Sequence, residues 1–272
     1  MVPICPLCGE ALVQERPAWH CENGHFFDVG KQGYVNLLPV QSKHSLHPGD
    51  PLSQVHSRRR FLTAGHYAPI AQRICGLLQG HGTCLLDVGC GEGYYLRQIQ
   101  KALPQTQCWG LDISKDAVRL AAGADKQGHY LVGTAAHLPF RAHSFQGLLS
   151  LFAPTLPEEY HRVLESGGVF LQALTHDDHL QGLKSTIYPT LIDHEKAVTP
   201  QLPGFRLIKS EELSFPITLR DNQTVQDLLS MTPHYWRITR EAAQGVEAMT
   251  WLCDMVHIQL NLYESIILDS TQ

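Results

Sequence analysis

The run Leu85-Leu86-Asp87-Val88-Gly89-Cys90-Gly91-Glu92-Gly93-Tyr94-Tyr95 restricts the fold more than any other part of the chain. Its first residues, Cys84 through Val88, are mostly apolar and partly β-branched, as expected of a short buried strand. Glycines then fall at every second position, and an amphipathic run follows with Tyr95, Leu96, Ile99, Ala102 and Leu103 as its apolar members. Strand, glycine turn and helix in this order open a doubly wound α/β sheet with a nucleotide-type site. Glycine is required there because the backbone bends tightly and lies directly against a ligand, where a Cβ would intrude.

A dinucleotide site calls for Gly-x-Gly-x-x-Gly, whose spacing suits a pyrophosphate over a helix N-terminus. Here the pattern is Asp87-x-Gly89-x-Gly91-x-Gly93. It resembles motif I of the class I methyltransferases that use S-adenosylmethionine, in which the turn passes under the methionine and ribose of the cofactor. Cys108 to Ser114 reads as the next strand, ending in Asp112 about 20 residues after the turn, where an acid can grip a ribose hydroxyl. Gly133-Thr134-Ala135-Ala136-His137-Leu138-Pro139-Phe140 resembles the adenine-side loop of the same enzymes, which brings Thr134 and Ala135 toward the cofactor. Another Rossmann-like enzyme with a coincidental turn is the competing reading.

The 272 residues suffice for one large domain or two smaller ones. No apolar run approaches the ~20 residues of a membrane span. The N-terminus lacks the basic-then-apolar pattern of a secretory signal, so a cytoplasmic protein with reduced cysteines is expected. The net charge of −5 argues against a generally basic nucleic-acid binder. Its distribution is uneven: residues 1 to 80 carry seven Lys/Arg and five acids, a local +2 that leaves −7 for the remainder. A polyanion would therefore be met mainly by the N-terminal part.

Cys5-x2-Cys8-x12-Cys21-x3-His25 places three thiols and one imidazole at the spacing of a closed tetrahedral zinc site. A Cys-x-x-Cys redox pair is the alternative, but it leaves Cys21 and His25 without a role. Structural zinc is expected, in a treble-clef or ribbon-like knuckle with Trp19 and Phe26 as its small core. Cys75, Cys84, Cys90, Cys108 and Cys253 stand singly in apolar surroundings and read as core residues.

Between knuckle and sheet, Gly33 to Gln41 reads as a short apolar strand, Ser45 to Pro51 as a polar loop, and Leu52 to Leu62 and Pro69 to Leu78 as helices. Several segments here identify a family in one order: the cysteine cluster, Gly33-Tyr34-Val35-Asn36-Leu37-Leu38-Pro39-Val40-Gln41, Pro48-Gly49-Asp50, Arg59-x-Phe61-Leu62-x-x-Gly65-His66-Tyr67, and the glycine turn. Further on come Leu138-Pro139-Phe140, Gly167-Gly168, His179-Leu180, Ile187-Tyr188 and Met231-Thr232-Pro233. This order resembles the large-subunit ribosomal RNA (guanine-N1) methyltransferases that carry an N-terminal zinc domain, the last segment leaning toward the Gram-negative branch.

The resemblance implies an α/β fold, a Rossmann-like class I methyltransferase with a mostly parallel seven-stranded sheet, plus a small zinc-binding domain. It divides the chain into residues 1–35 (zinc), 36–80 (connecting strand, loop and helices) and 81–272 (methyltransferase). Cys5, Cys8, Cys21 and His25 match its zinc ligands. Tyr67, Gly91, Glu92 and His179 match cofactor contacts, beside the motif residues Asp87, Gly89 and Gly93, and Asp112 takes the ribose role. It also implies a homodimer. Thr175-His176-Asp177-Asp178 is more acidic than a segment beside an RNA channel should be.

Downstream, Tyr130 to Val132, Gly147 to Phe152 and Val169 to Leu174 read as strands, with a helix from Glu158 to Leu164 ending at Gly167-Gly168. Phe205 to Ile208 and Leu213 to Leu219 read as two later strands, Val225 to Trp236 as an inserted helix, and Thr250 to Tyr263 as a final antiparallel strand. Trp236 either stacks on a splayed base or packs the insertion onto the sheet. Arg58, Arg59 and Arg60 either hold RNA phosphates or form a solvated helix face.

Guanine N1 carries a proton that must leave as the methyl arrives, and Asp50 or a histidine from the 44–66 segment is the expected acceptor. Two other functions share parts of this pattern. A metabolite methyltransferase shares the cofactor motifs without a zinc module, and a non-catalytic zinc-containing RNA-binding protein shares the knuckle without needing the glycines and Asp112.

Overall fold

The computed structural model describes residues 1–15, 17–42, 48–190 and 197–267. Three short strands, β1 (Val13–Glu15), β2 (Ala18–His20) and β3 (Phe26–Asp28), form an antiparallel ribbon around the cysteine cluster. β4 (Val35–Asn36) leaves the ribbon and pairs parallel to the main-sheet strand His129–Val132, and the Leu37 amide extends the contact to the Val132 carbonyl at 2.8 Å. Of the stretch 33–41 only these two residues are strand. A 3-10 turn over Val40–Ser42 follows.

The rest alternates as expected: α1 (Leu52–Thr63), α2 (Ala68–Leu78), β5 (Cys84–Val88), α3 (Tyr94–Ala102), β6 (Gln107–Asp112), α4 (Lys115–Ala124), β7 (His129–Val132), β8 (Phe145–Leu151), α5 (Pro157–Val163), β9 (Leu164–Thr175), α6 (Gln181–Ile187), β10 (Phe205–Leu219), α7 (Asn222–Ser230), α8 (Arg240–Glu247) and β11 (Leu252–Ser265). The sheet order is β10-β11-β9-β8-β5-β6-β7-β4. Pairing is parallel from β9 to β4, and β11 runs antiparallel between β9 and β10. Among the described residues the sheet has eight strands instead of the expected seven, because β4 joins it at one rim.

Helices cover both faces, which is why β5 is buried at all five positions and reads as a nearly continuous apolar run. One core lies under α1, α2, α3 and α4, and the other includes Leu86, Trp109, Phe140, Phe145, Tyr160 and Phe170. Cys5, Leu12, Cys21 and Val35 belong to this second core, so the ribbon is seated against the sheet. The Ile4 amide donates to the Pro139 carbonyl there.

Three expectations need correction. Phe26 is 70 % exposed, because successive residues of β3 face opposite ways and Phe27 takes the inward position beside Trp19 and the fully buried Leu12. The two later strands are one, β10, which continues across a register shift between Leu207 and Lys209. Its polar run Lys209 to Glu212 is compatible with pairing because β10 is a rim strand with one side in water, and the same location tolerates Pro216. The inserted helix stops at Ser230, since Pro233 disfavours helical backbone before it, and Pro233–Trp236 forms a separate 3-10 turn. At the other rim, Val29 bridges antiparallel to Val35.

Candidate active site and metal centre

From β5 the chain first moves to β6 and β7 and later returns to β8 on the opposite side. Where progress across a sheet reverses, the carboxyl ends of neighbouring strands part and leave a crevice. Here it is a cavity of about 260 Å3. Asp87, Gly89, Gly91, Glu92 and Asp112 form its floor, Arg58, Leu62 and Tyr67 one wall, and Leu151, Phe152, Ala153 and Pro154 another, with Asp50 and Met231 also lining it.

Gly89, Gly91 and Gly93 are all left-handed, at φ 84°, 55° and 78°. Crowding adds to this requirement, because a Cβ on Gly89 would lie 3.1 Å from that of Ala153, and one on Gly93 3.0 Å from the Tyr130 hydroxyl. The turn aims the Gly91 amide at Asp112 Oδ2, 2.9 Å away, while Asp112 Oδ1 accepts from the Ser114 amide at 2.8 Å. Ser114 Oγ in turn accepts from the Ala117 amide and so starts α4.

The floor is acidic and largely buried. Asp87 is 1 % exposed, and its Oδ1 has no hydrogen-bond partner among the described residues. Burial, and then the neighbouring Asp112, push its carboxyl up to about 8. Glu92 is equally buried, with Oε2 on Arg97 at 2.7 Å and Oε1 without a partner among the described residues. Burial raises its carboxyl against the pull of Arg97, Arg59 and Arg58. Burial raises Asp112 as well, opposed by the two amides it accepts from. Buried acids with unmatched oxygens favour a ligand that brings hydrogen-bond donors and positive charge. S-adenosylmethionine carries an ammonium, a sulfonium and ribose hydroxyls, so these residues fit it.

Tyr67 is buried edge-on against Phe61, ring centroids 5.1 Å apart, and burial raises its phenol. The Asp50 carboxylate accepts from Arg58 at 2.9 Å, and its carbonyl accepts from Ser114 Oγ at 2.9 Å. A second cavity of about 340 Å3, with Asn36, Leu38, Pro51 and Val132 in its wall, meets the first at Asp50 and Ile113.

Other expected site residues lie elsewhere. Thr134 lines a separate depression beside Cys5 and Cys8, its Oγ1 accepting from the Ala136 amide, and Ala135 packs on the second core. His179 is buried with its Nδ1 accepting from the His257 amide, outside the crevice lining. Arg60 is committed to Asp227, donating at 2.9 and 2.5 Å to a carboxylate 3 % exposed, so it fastens α1 to α7. Trp236 is 66 % exposed and edge-on to Tyr235, and does not pack the insertion onto the sheet. Of the histidines between 44 and 66, His44 and His47 lie outside the described residues, His56 is exposed on α1, and His66 rests on Phe61, centroids 4.7 Å apart. Sequence reasoning missed Leu62, Phe152 and Met231 as crevice residues. Met231 carried a signal as part of Met231-Thr232-Pro233, while Phe152 carried none.

In the ribbon, Cys5, Cys8, Cys21 and His25 bring their ligand atoms within 4.8 Å of one another. The separations Cys5 Sγ to His25 Nδ1 (3.4 Å), Cys21 Sγ to His25 Nδ1 (3.3 Å) and Cys8 Sγ to Cys21 Sγ (3.6 Å) approach the edges of a zinc tetrahedron. Metal–ligand bonds of about 2.1–2.3 Å give edges of roughly 3.4–3.8 Å. The four protein ligands close the shell, which makes this a structural zinc site.

A family model described as "RlmA, N-terminal", a zinc ribbon, matches residues 4–46, and one described as "Methyltransferase domain" matches residues 85–168. The chain is 33% identical over 241 residues, 85% of each chain, to the 23S rRNA (guanine(748)-N(1))-methyltransferase of Streptomyces fradiae. It is 30% identical over 261 residues, 90% of each, to YxjB of Bacillus subtilis (strain 168). Against the demethylmenaquinone methyltransferase of Thermotoga maritima the identity is 27%, but over 45% of this chain and 54% of that one. At the identity and coverage of the first match, the chain belongs to the 23S rRNA (guanine-N1) methyltransferase family.

Proposed function

We propose that this protein transfers the methyl group of S-adenosylmethionine to N1 of one guanosine in a hairpin of large-subunit ribosomal RNA. One observation carries the reading: a Cys3His ribbon and an acid-floored glycine crevice share one chain that aligns nearly end to end with a guanine-N1 methyltransferase.

Bound in the crevice, S-adenosylmethionine supplies an already activated methyl group. The chain has then to hold, align and deprotonate. Asp87, Glu92 and Asp112 receive the donor groups of the cofactor, and Tyr67 and Met231 bound the space above them. Asp50, oriented by Arg58 at the crevice wall, accepts the N1 proton as the new N–C bond forms. N1 lies on the Watson–Crick edge, so the guanine is unpaired or flipped when it enters. The ribbon and Arg59 take phosphate contacts, and Trp236 stacks on a neighbouring base.

No described helix is long and apolar enough to cross a membrane. A cytoplasmic homodimer belongs to the same reading, two copies widening the surface offered to one hairpin. Light scattering checks it, and a fully active monomer at assay concentration rejects it.

The deciding experiment is a nucleotide-resolved mass-spectrometric comparison of 23S ribosomal RNA from cells with and without the protein. The expected result is loss of one N1-methylguanosine. An unchanged map in cells that normally express the protein rejects the ribosomal substrate, and methylation of a free metabolite would then identify a small-molecule enzyme. Failure to bind S-adenosylmethionine would leave a non-catalytic RNA-binding protein.

A further inference from the structure

At the end of the sheet away from the ribbon, three neighbouring strands gather another set of ligand-bearing side chains. His176 directly follows β9, His257 is in β11 and Glu212 is in β10, and their ligand atoms lie within 4.8 Å of one another. The two imidazoles stack with ring centroids 3.9 Å apart, 6° from parallel.

Which nitrogen of each ring carries hydrogen follows from the neighbours. Asn261 Nδ2 donates to the Val198 carbonyl at 2.7 Å, which leaves Asn261 Oδ1 to accept from Ser210 Oγ at 2.7 Å. Ser210 has then used its proton and accepts from Gln259 Nε2, at 2.7 Å. Gln259 therefore turns its Oε1 to His176 Nε2, 3.0 Å away, so that nitrogen bears the hydrogen and Nδ1 keeps a lone pair. On His257, Nδ1 meets the Asp178 carboxylate at 2.5 Å while Nε2 points at Glu212, 2.7 Å away. Each imidazole thus has one N–H held by an oxygen acceptor, and on His257 an ion at Nε2 would take the place of the hydrogen shared with Glu212. Metal-ligating histidines are oriented in this way.

We propose that His176 Nδ1, His257 Nε2 and the Glu212 carboxylate bind one divalent transition-metal ion of the zinc class, with water completing the shell. Two imidazoles and one carboxylate are a donor set such ions prefer. Binding requires the stacked rings to swing out of parallel so that both lone pairs converge. Glu212, its side chain 61 % exposed on the rim strand, is free to close on the ion. The ion pins the ends of β9, β10 and β11 together, and it gives the acidic Asp178 a role that RNA contact does not.

Protein carrying its ribbon zinc is dialysed against Co2+ and read by bound metal and absorbance. A histidine–carboxylate site gives weak visible bands, whereas exchange into the ribbon gives an intense thiolate charge-transfer band. The expected result is one Co2+ per chain without the thiolate band, lost in His176→Ala and in His257→Ala. Glu212→Gln and Asp178→Asn alter side chains that are more than half exposed and keep their size, and each should weaken binding about tenfold or more. No bound Co2+, Co2+ carrying the thiolate band alone, or binding unchanged in these four variants overturns the proposal.

Discussion

The ribbon strands β1, β2 and β3 have three residues each and bury none of them, whereas β5, with five, buries all five. Both regions hold a few polar groups in a fixed geometry. In the ribbon the cohesion comes from the ligands themselves and from one seam of contact through Leu12 and Cys21. In the crevice it comes from apolar burial on both faces of the sheet, which takes Asp87 and Glu92 out of solvent and half-buries Asp112. The metal centre would draw its stability from the ion its four ligands suit, while the crevice is built at a cost that its ligand relieves.

Removing zinc tests the contrast most severely, since a structural site contributes on the order of 10 kcal/mol to its fold. Chelation, or Cys21→Ser, should open amides 13–28 to hydrogen exchange while those of 84–88 stay protected and cofactor binding persists. Simultaneous loss of both regions would mean that the ribbon supports the sheet.

Asp87→Asn is the mirror experiment. In the folded protein the Asp87 carboxyl lies near 8, above its value of 3.8 when free. The folded state therefore holds the extra proton, and the stability this gives is complete below the free-carboxylate range and lost as pH rises through about 8. The asparagine should raise the melting temperature at pH 8 by an amount worth a few kcal/mol, and lower S-adenosylhomocysteine affinity tenfold or more. A variant that is both less stable and a weaker binder would show that Asp87 is structural.

Arg60→Ala strands the buried Asp227 and should cost about 2 kcal/mol in urea melts, the exposed half of the arginine reducing the full buried-pair penalty. Arg73→Ala, which breaks a more exposed pair with Glu211, should cost less than about 1 kcal/mol. Equal losses would remove Arg60 as the fastener of α1 to α7. Trp236→Ala should leave stability within about 0.5 kcal/mol yet weaken RNA binding by about 1–2 kcal/mol, roughly 5- to 30-fold. Unchanged RNA affinity would take Trp236 out of the substrate surface.

Reading ahead from sequence succeeded where local signals agreed with one another. The glycine alternation and the apolar run of β5 both demanded the same turn, and Asp112, picked by its distance after that turn, lies at the end of β6 on the Gly91 amide. It failed where a residue's role is set at long range. Arg60 reads as part of a basic run, and its partner lies 167 positions away. Phe152 carries no local mark of its left-handed backbone, at φ 57°, which accompanies the bond from its amide to the Ala173 carbonyl on β9. Thr134 and Ala135 follow β7 as expected but face the ribbon, because β4 lies alongside β7. The zinc ligands were legible because a metal needs only spacing, while Phe26 was misplaced because alternation along so short a strand has no second turn to confirm it.

The two rims of the sheet decide how this molecule behaves in crowded solution. A bare strand edge is a template on which another chain can add its own ladder. Along β10 a proline and the charges of Arg206, Lys209, Glu211 and Glu212 oppose such addition, and at the other rim a two-residue strand is already met by Val29 of the ribbon. The zinc module is therefore also a stopper. A chain made faster than it acquires zinc would lose that stopper, and its aggregation should follow metal supply instead of temperature.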